Sequence, residues 1–161
     1  MKFGFINLCG AIAVAVMLIP NVVYALKYRD EKNLCTNKAM NVAEQIGRFG
    51  CVILMWLPLL VWKFGFASVP EALVYFAGNA SLLIAYLAVF GVYFRKKTKG
   101  RAIALAVPPA CVFLLSGLTL RHWLLVGFAA LFAVGHIYVT VKNAEASASE
   151  GEDHVHEHSC K

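Results

Sequence analysis

The sequence predicts an all-α protein: a polytopic bundle of five transmembrane helices, with the N-terminus outside, the C-terminus inside and a disordered C-terminal tail. Of the 161 residues, 60% are hydrophobic and 15% are charged, which is more apolar than a soluble domain of this length requires. The apolar residues form long runs without period-2 alternation. Since backbone polar groups in lipid must be satisfied within their own segment, such runs predict helices.

Charge-free runs locate the spans, because a hydrocarbon core about 30 Å thick requires roughly 20 helical residues. The predicted spans cover about residues 3–26, 47–66, 72–94, 102–120 and 123–141. Lys63 interrupts the second run near its end, where a long side chain reaches the headgroups. These bounds place residues 1–142 in the bundle.

Two further sequence patterns concern the first two helices. Residues 41–44 have the spacing of a capping box, so the second helix is predicted to start near Asn41 and to enter the membrane at about Gly47. The first span has an alternative interpretation as a cleavable signal peptide, with a cleavage signal at residues 23–25. Its uncharged run exceeds the roughly 7–15 residues of such peptides, and cleavage would export a basic loop. A retained anchor is preferred.

Lysine and arginine predict the orientation, because they accumulate in cytoplasmic loops. In the five-span arrangement, eleven of them fall on the side of the first and third loops, and three fall on the other side. The three are Lys2, Lys63 and Arg121. The basic side is therefore predicted to be cytoplasmic, in a cell membrane of the bacterial inner-membrane type.

A set of polar residues enters the membrane from this basic side. Asn21 and His136 each lie five residues from the predicted cytoplasmic ends of their spans, about 8 Å deep. The remaining candidates, Glu44, Gln45 and Arg48, enter at the same face, and Glu44 and Arg48 have the i, i+4 spacing of an ion pair. These five residues predict a polar pocket that opens to the cytoplasm. The alternative is that Asn21 and His136 form interhelical hydrogen bonds that hold the bundle together.

The tail, residues 143–161, is rich in Ala, Ser, Glu and His, a composition typical of disorder. His154, His156, His158 and Cys160 are ligand types that suit Zn²⁺ or another transition metal. The alternative is a solvated tail with incidental metal affinity.

The basic loop at residues 95–101 carries five cations, Arg95, Lys96, Lys97, Lys99 and Arg101. Such a loop fixes the topology, and it is also a candidate for binding anionic lipid headgroups. Because the cations lie in short loops between apolar runs, a nucleic-acid partner is not predicted.

Several chemistries are disfavoured. No Asp or Glu lies inside the predicted apolar runs, which argues against cation-coupled transport. Ser116 and His136 lie about 6 and 21 Å from the outer ends of their spans, too far apart for a hydrolase pair. The five cysteines include no CxxC pair. Nearly every group capable of chemistry, apart from Asn7, Asn79, Ser116 and His122, is predicted to lie at or near the basic side.

Three functional hypotheses remain. The preferred one is a non-enzymatic membrane protein that acts through helix packing, as an accessory or regulatory subunit with a membrane partner or as a homo-oligomer. The second is a small carrier or channel that uses the polar pocket and is metal-linked through the tail. The third is a lipid-modifying enzyme with His136 or His122 as base, and it has the least support because neither histidine has an evident partner in the sequence.

Overall fold

The computed structural model describes residues 7–29, 33–57, 59, 65–95 and 98–159, and it describes only the backbone of residues 148–159. These residues form five α-helices: α1 Leu8–Lys27, α2 Lys38–Trp56, α3 Val69–Arg95, α4 Lys99–Thr119 and α5 Trp123–Ser159. They include no β-strand. The predicted all-α class is confirmed.

Four helices have the length and composition of membrane spans. They are α1, α3, α4 and the Trp123–Ser147 part of α5. α2 differs from them because its 19 residues include Lys38, Glu44 and Arg48. The four apolar helices indicate a multi-pass membrane protein.

α2 begins and ends earlier than the sequence predicts. The side chain of Asn37 caps it by accepting a hydrogen bond from the backbone nitrogen of Met40, at 3.2 Å. Asn41 is not the cap, because its Nδ2 donates to the carbonyl of Cys35 at 2.9 Å and so ties the preceding loop to the helix. The helix ends at Trp56 instead of near Phe66, and Lys63 lies outside the described residues.

The start of α3 shows a capping arrangement that the sequence analysis missed. The Ser68 hydroxyl accepts from the backbone nitrogen of Glu71 at 3.4 Å, and the Glu71 carboxylate accepts from that of Ala67 at 2.8 Å. Reciprocal bonds of this kind satisfy donors that the first turn leaves free. α3 therefore starts at Val69, before the predicted span begins.

α4 and α5 are joined by a tight turn. His122 donates its backbone N–H to the Gly117 carbonyl at 2.8 Å, and Arg121 donates to that of Leu118 at 3.1 Å. This pair of bonds is the Schellman motif, which requires a left-handed residue that is usually glycine. Here the residue is Arg121, with φ 53°. Its guanidinium is 2.8 Å from the Glu71 carboxylate, which anchors the turn to the start of α3.

The five helices form a closed ring in the order α1, α2, α5, α4, α3, in which each helix packs against the next. α5 has α2 and α4 as its main neighbours, and α1 makes the sparsest contacts. The core contains Cys51, Val112, Leu125 and Ala129, all with no exposed surface. We call the end that carries Lys27, Lys38, Arg95 and Lys142 the basic end, and the other the opposite end.

The backbone of α5 stays helical to Ser159, over residues for which the composition predicts a disordered tail. Alanine and glutamate in this stretch have high helix propensity, which accounts for the continuation. Glu145 also ties it to α4, because its carboxylate lies 3.0 Å from Lys99 and 3.1 Å from Lys142.

Candidate functional site

The main polar cluster lies between α2 and α5, towards the basic end. Oε1 of Glu44 accepts a hydrogen bond from Nδ1 of His136 at 2.8 Å, and the same oxygen pairs with the guanidinium of Arg48 one turn along α2. Glu44 is buried, with 5% of its surface exposed. The predicted i, i+4 spacing of Glu44 and Arg48 thus does produce an ion pair, and His136 joins it from the facing helix.

Two glycines allow α2 and α5 to approach closely enough for this contact. A β-carbon on Gly135 would lie 2.8 Å from the backbone nitrogen of Glu44, and one on Gly47 would lie 2.6 Å from that of Phe132. Real β-carbons do not approach backbone atoms this closely. Small residues permit such contact between membrane helices, so Gly47 and Gly135 set the distance at which Glu44 meets His136.

The imidazole of His136 is also held by an aromatic neighbour. Its ring stacks on that of Phe132, with centroids 4.8 Å apart and an interplanar angle of 15°. Phe132 in turn meets Phe113 of α4 edge to face at 5.7 Å. One hydrogen bond and one stacked ring therefore fix the position of His136.

The structure does not bring Asn21 and Gln45 into this cluster. Asn21 donates to the carbonyl of Met17, one turn earlier in α1, at 3.0 Å. The Tyr86 hydroxyl of α3 is 3.4 Å from that same carbonyl, and it also interacts with the Asn21 side chain. Gln45 is exposed. Of the five residues predicted to form a pocket, the structure thus brings Glu44, Arg48 and His136 together, and Asn21 lies at a separate polar contact between α1 and α3.

The chain matches no protein-family model, no curated protein and no solved structure. The geometry of its polar clusters therefore carries the functional argument.

A second polar cluster lies towards the opposite end, where the sequence analysis predicted no site. Nδ2 of Asn7 is 3.0 Å from the carbonyl of Met55 and 3.3 Å from the hydroxyl of Tyr75, so it joins α1, α2 and α3. Nδ2 of Asn79 donates to the hydroxyl of Ser116 at 3.1 Å, which joins α3 to α4. All four side chains are buried. The signal in the sequence was the presence of these polar residues within apolar runs.

His122 is the other buried polar residue at this end, with 1% of its surface exposed. Its Nε2 is 3.1 Å from the carbonyl of Leu59, and because a carbonyl only accepts, Nε2 carries the proton. Nδ1 has no hydrogen-bond partner among the described residues. Burial lowers the pKa of His122, and the hydrogen bond to Leu59 partly opposes that effect. The ring is therefore a neutral donor with one bond.

The predicted metal ligands His154, His156, His158 and Cys160 have side chains outside the described part of the chain. Within the described part, no group of three or more His, Cys, Asp or Glu side chains is placed to hold a metal ion. The tail site therefore stays a prediction.

The Arg48–Glu44–His136 cluster could serve two kinds of chemistry. A carboxylate that orients a histidine is a common feature of general bases and of proton relays. The same pair also joins two helices, and interhelical hydrogen bonds of this kind stabilise membrane proteins by about 0.6 kcal/mol on average. Among the described residues, no hydroxyl or thiol hydrogen-bonds to His136, so they offer it no protein nucleophile to activate.

Proposed function

We propose that the chain crosses a cell membrane five times and that α2 crosses it in addition to the four apolar helices. The antiparallel register of α2 and α5, in which Gly47 meets Phe132 and Gly135 meets Glu44, supports this assignment. Continued along both helices, that register brings Lys38 level with Val141 and Trp56 level with Trp123. The 19 residues of α2 extend about 28 Å, which is close to the thickness of the hydrocarbon core.

The basic end faces the cytoplasm in this proposal, and a bacterial inner membrane is its setting. The support is the distribution of lysine and arginine, eleven on the basic side and three on the other. Alkaline phosphatase fused after Leu34, in the loop between α1 and α2, tests the orientation in a bacterial host. We expect low activity, whereas high periplasmic activity would reverse the topology.

The proposed function is non-enzymatic: a membrane protein that acts through its packed helices, as an accessory or regulatory subunit or as a homo-oligomer. One observation carries this proposal. Polar side chains of different helices bind one another within the bundle, with Glu44 shared by Arg48 and His136 at one end and Asn79 bound to Ser116 at the other. Such bonds fix the positions of helices and leave the bundle surface for contact with a partner.

The experiment compares stability with ion movement in the purified protein. We expect Glu44→Gln and His136→Gln to lower the thermal unfolding midpoint in detergent. We also expect wild-type proteoliposomes, loaded with a pH-sensitive dye and held under a potassium diffusion potential, to take up protons no faster than empty liposomes. Proton uptake that depends on Glu44 or His136 would overturn the packing role.

A small carrier or channel is the second candidate function, and one observation favours it. The Glu44–His136 pair is ionisable and lies at the depth of the apolar run of α5, while 42% of the Arg48 side chain and 23% of the His136 side chain remain exposed. A path from the basic end to the pair would then begin at Arg48. This candidate predicts that the wild-type protein takes up protons in the same liposome assay. It also predicts that His136→Gln abolishes the uptake while the protein still folds.

A further inference from the structure

The ends of α1 and α3 meet at the basic end through a cluster of aromatic rings. The ring of Tyr24 lies 6.2 Å from Phe90, 6.0 Å from Tyr93 and 5.8 Å from Phe94, measured between centroids. Tyr28 lies 6.1 Å from Phe94. Aromatic rings at the end of a span occupy the headgroup level of a bilayer. This cluster, Tyr24, Tyr28, Phe90, Tyr93 and Phe94, is called the aromatic end cluster below.

Cations from three helices lie at the same end of the bundle as the aromatic end cluster. Nζ of Lys27, at the end of α1, lies 5.3 Å from the centroid of Phe94 and 5.7 Å from that of Tyr28. Arg95 follows Phe94 and is exposed at the end of α3. Arg101, in the first turn of α4, donates to the carbonyl of Val92 in α3 at 3.5 Å. The packing of α1 against α3 therefore brings Lys27 to the same end of the bundle as Arg95 and Arg101, which flank the loop between α3 and α4.

The nearby described carboxylates are bound elsewhere. Glu44 pairs with Arg48 and His136, and Glu145 pairs with Lys99 and Lys142. Neither of them contacts Lys27 or Arg95. Among the described side chains, the surface around Phe94 therefore carries more cations than carboxylates.

We propose that Lys27, Arg95 and Arg101, with the aromatic end cluster beneath them, bind the phosphate of an anionic phospholipid. Lysine and arginine donate charge-assisted hydrogen bonds to phosphate oxygens, and each cation at a membrane surface strengthens the attraction to anionic lipid. Exposed apolar side chains continue from this site along α1 and α3, including Leu26 at 68% exposure and Val92 at 47%. Acyl chains would contact these side chains, which favours a lipid over a soluble phosphate.

The proposed lipid site does not depend on the proposed packing role, because it uses none of the residues between α2 and α5.

The test of the lipid site measures binding of phosphatidylglycerol to the detergent-solubilised full chain by native mass spectrometry, with phosphatidylcholine as the neutral lipid. We expect preferential binding of phosphatidylglycerol. The Lys27→Gln/Arg95→Gln variant should lower that affinity about fivefold per cation, the equivalent of about 1 kcal/mol each.

Lys38→Gln is the matched control, since it removes an exposed cation of the same end that lies on α2, away from the aromatic end cluster. An equal loss of affinity in Lys38→Gln would overturn the site in favour of general surface charge.

Phe94→Leu keeps every cation and removes the ring beneath Lys27, so it tests the site even where the double variant does not fold. We expect Phe94→Leu to lower the affinity, and an unchanged affinity would contradict the proposal. Competition by millimolar inorganic phosphate at constant ionic strength would assign the site to a soluble ligand instead.

Discussion

Glu44 and His136 are separated by 92 positions in the chain and by 2.8 Å between their side-chain atoms. In the proposed five-span arrangement, this contact makes α2, a helix with three charged residues, compatible with a membrane, because Arg48 and His136 both bind its buried carboxylate. Burying a carboxylate without partners is costly, and removing one member of a buried pair is strongly destabilising.

A double-mutant cycle on Glu44→Gln and His136→Gln should give a coupling free energy of about 1 to 2 kcal/mol, because the two side chains bind each other directly. The measurement is the free energy of unfolding in mixed detergent micelles by SDS titration. The matched control is the pair Glu71 and Arg121, whose side chains are 31% and 62% exposed. Its coupling should be about 0.5 kcal/mol or less. Similar couplings for the two pairs would contradict the structure.

Gly135→Ala should destabilise the bundle by about 1 to 3 kcal/mol, because its β-carbon would meet backbone atoms of Glu44 that no side-chain rotation moves away. Gly127→Ala, on the same helix, is the control, since a β-carbon there meets nothing within 4 Å. Thermal unfolding in detergent should show a lower midpoint for Gly135→Ala and an unchanged or higher one for Gly127→Ala. Equal effects of the two substitutions would argue against the close contact of α2 and α5.

Asn79→Ala should lower the free energy of unfolding by about 1 kcal/mol, since it removes the hydrogen bonds between the Asn79 amide and the buried Ser116 hydroxyl. Combining it with Ser116→Ala should add little further loss, because the two side chains share one interaction. Ser81→Ala is the control on α3, because the exposed Ser81 hydroxyl bonds only to Ala77 of its own helix. A larger effect of Ser81→Ala than of Asn79→Ala would count against the second polar cluster.

The stability of the protein should fall on acidification through the titration of His122. Burial is the main cause that holds its pKa below the ordinary value of 6.5. The unfolded chain therefore binds a proton at a pH at which the folded chain does not, so the contribution of His122 is intact above about pH 6.5 and is lost as the pH falls below it. His122→Gln keeps a donor for the Leu59 carbonyl and does not titrate.

The measurement for His122 is the thermal unfolding midpoint in detergent between pH 7.5 and 5.5. We expect the midpoint of the wild type to drop more than that of His122→Gln across this range. Parallel pH profiles of the two proteins would show that the protonation of His122 is not coupled to folding.

The sequence predicted the helical class, the approximate positions of α1, α3, α4 and the apolar part of α5, and the i, i+4 pair of Glu44 and Arg48. These features depend on local spacing and on apolar run length, which a single chain displays directly. The sequence also predicted that His136 lies at the depth of the Glu44 face. Depth alone does not say which side chains meet: α1 and α5 both pack against α2, and only the rotation of the helices decides that His136 contacts Glu44 while Asn21 bonds within α1.

The start of α2 and the second polar cluster were missed for different reasons. Both Asn37 and Asn41 are good caps, and the difference is that the Asn41 side chain bonds back to the carbonyl of Cys35, six residues earlier in the preceding loop, whose conformation the sequence does not specify. Asn7, Asn79 and Ser116 each looked isolated in its own run, because their partners lie on other helices. Pairing of intramembrane polar residues depends on helix rotation, and five helices of similar apolarity leave that rotation undetermined.

The ring order of the helices has a consequence for synthesis. α2 is the second helix to leave the ribosome, yet its main neighbour is α5, the last of the five. Until α5 emerges, the Glu44 carboxylate has Arg48 but lacks His136, and Gly47 of α2 lacks the α5 backbone against which it packs. Assembly of the bundle is therefore completed after translation of α5, and chains stopped before it should retain α2 as a protease-sensitive segment at the membrane surface.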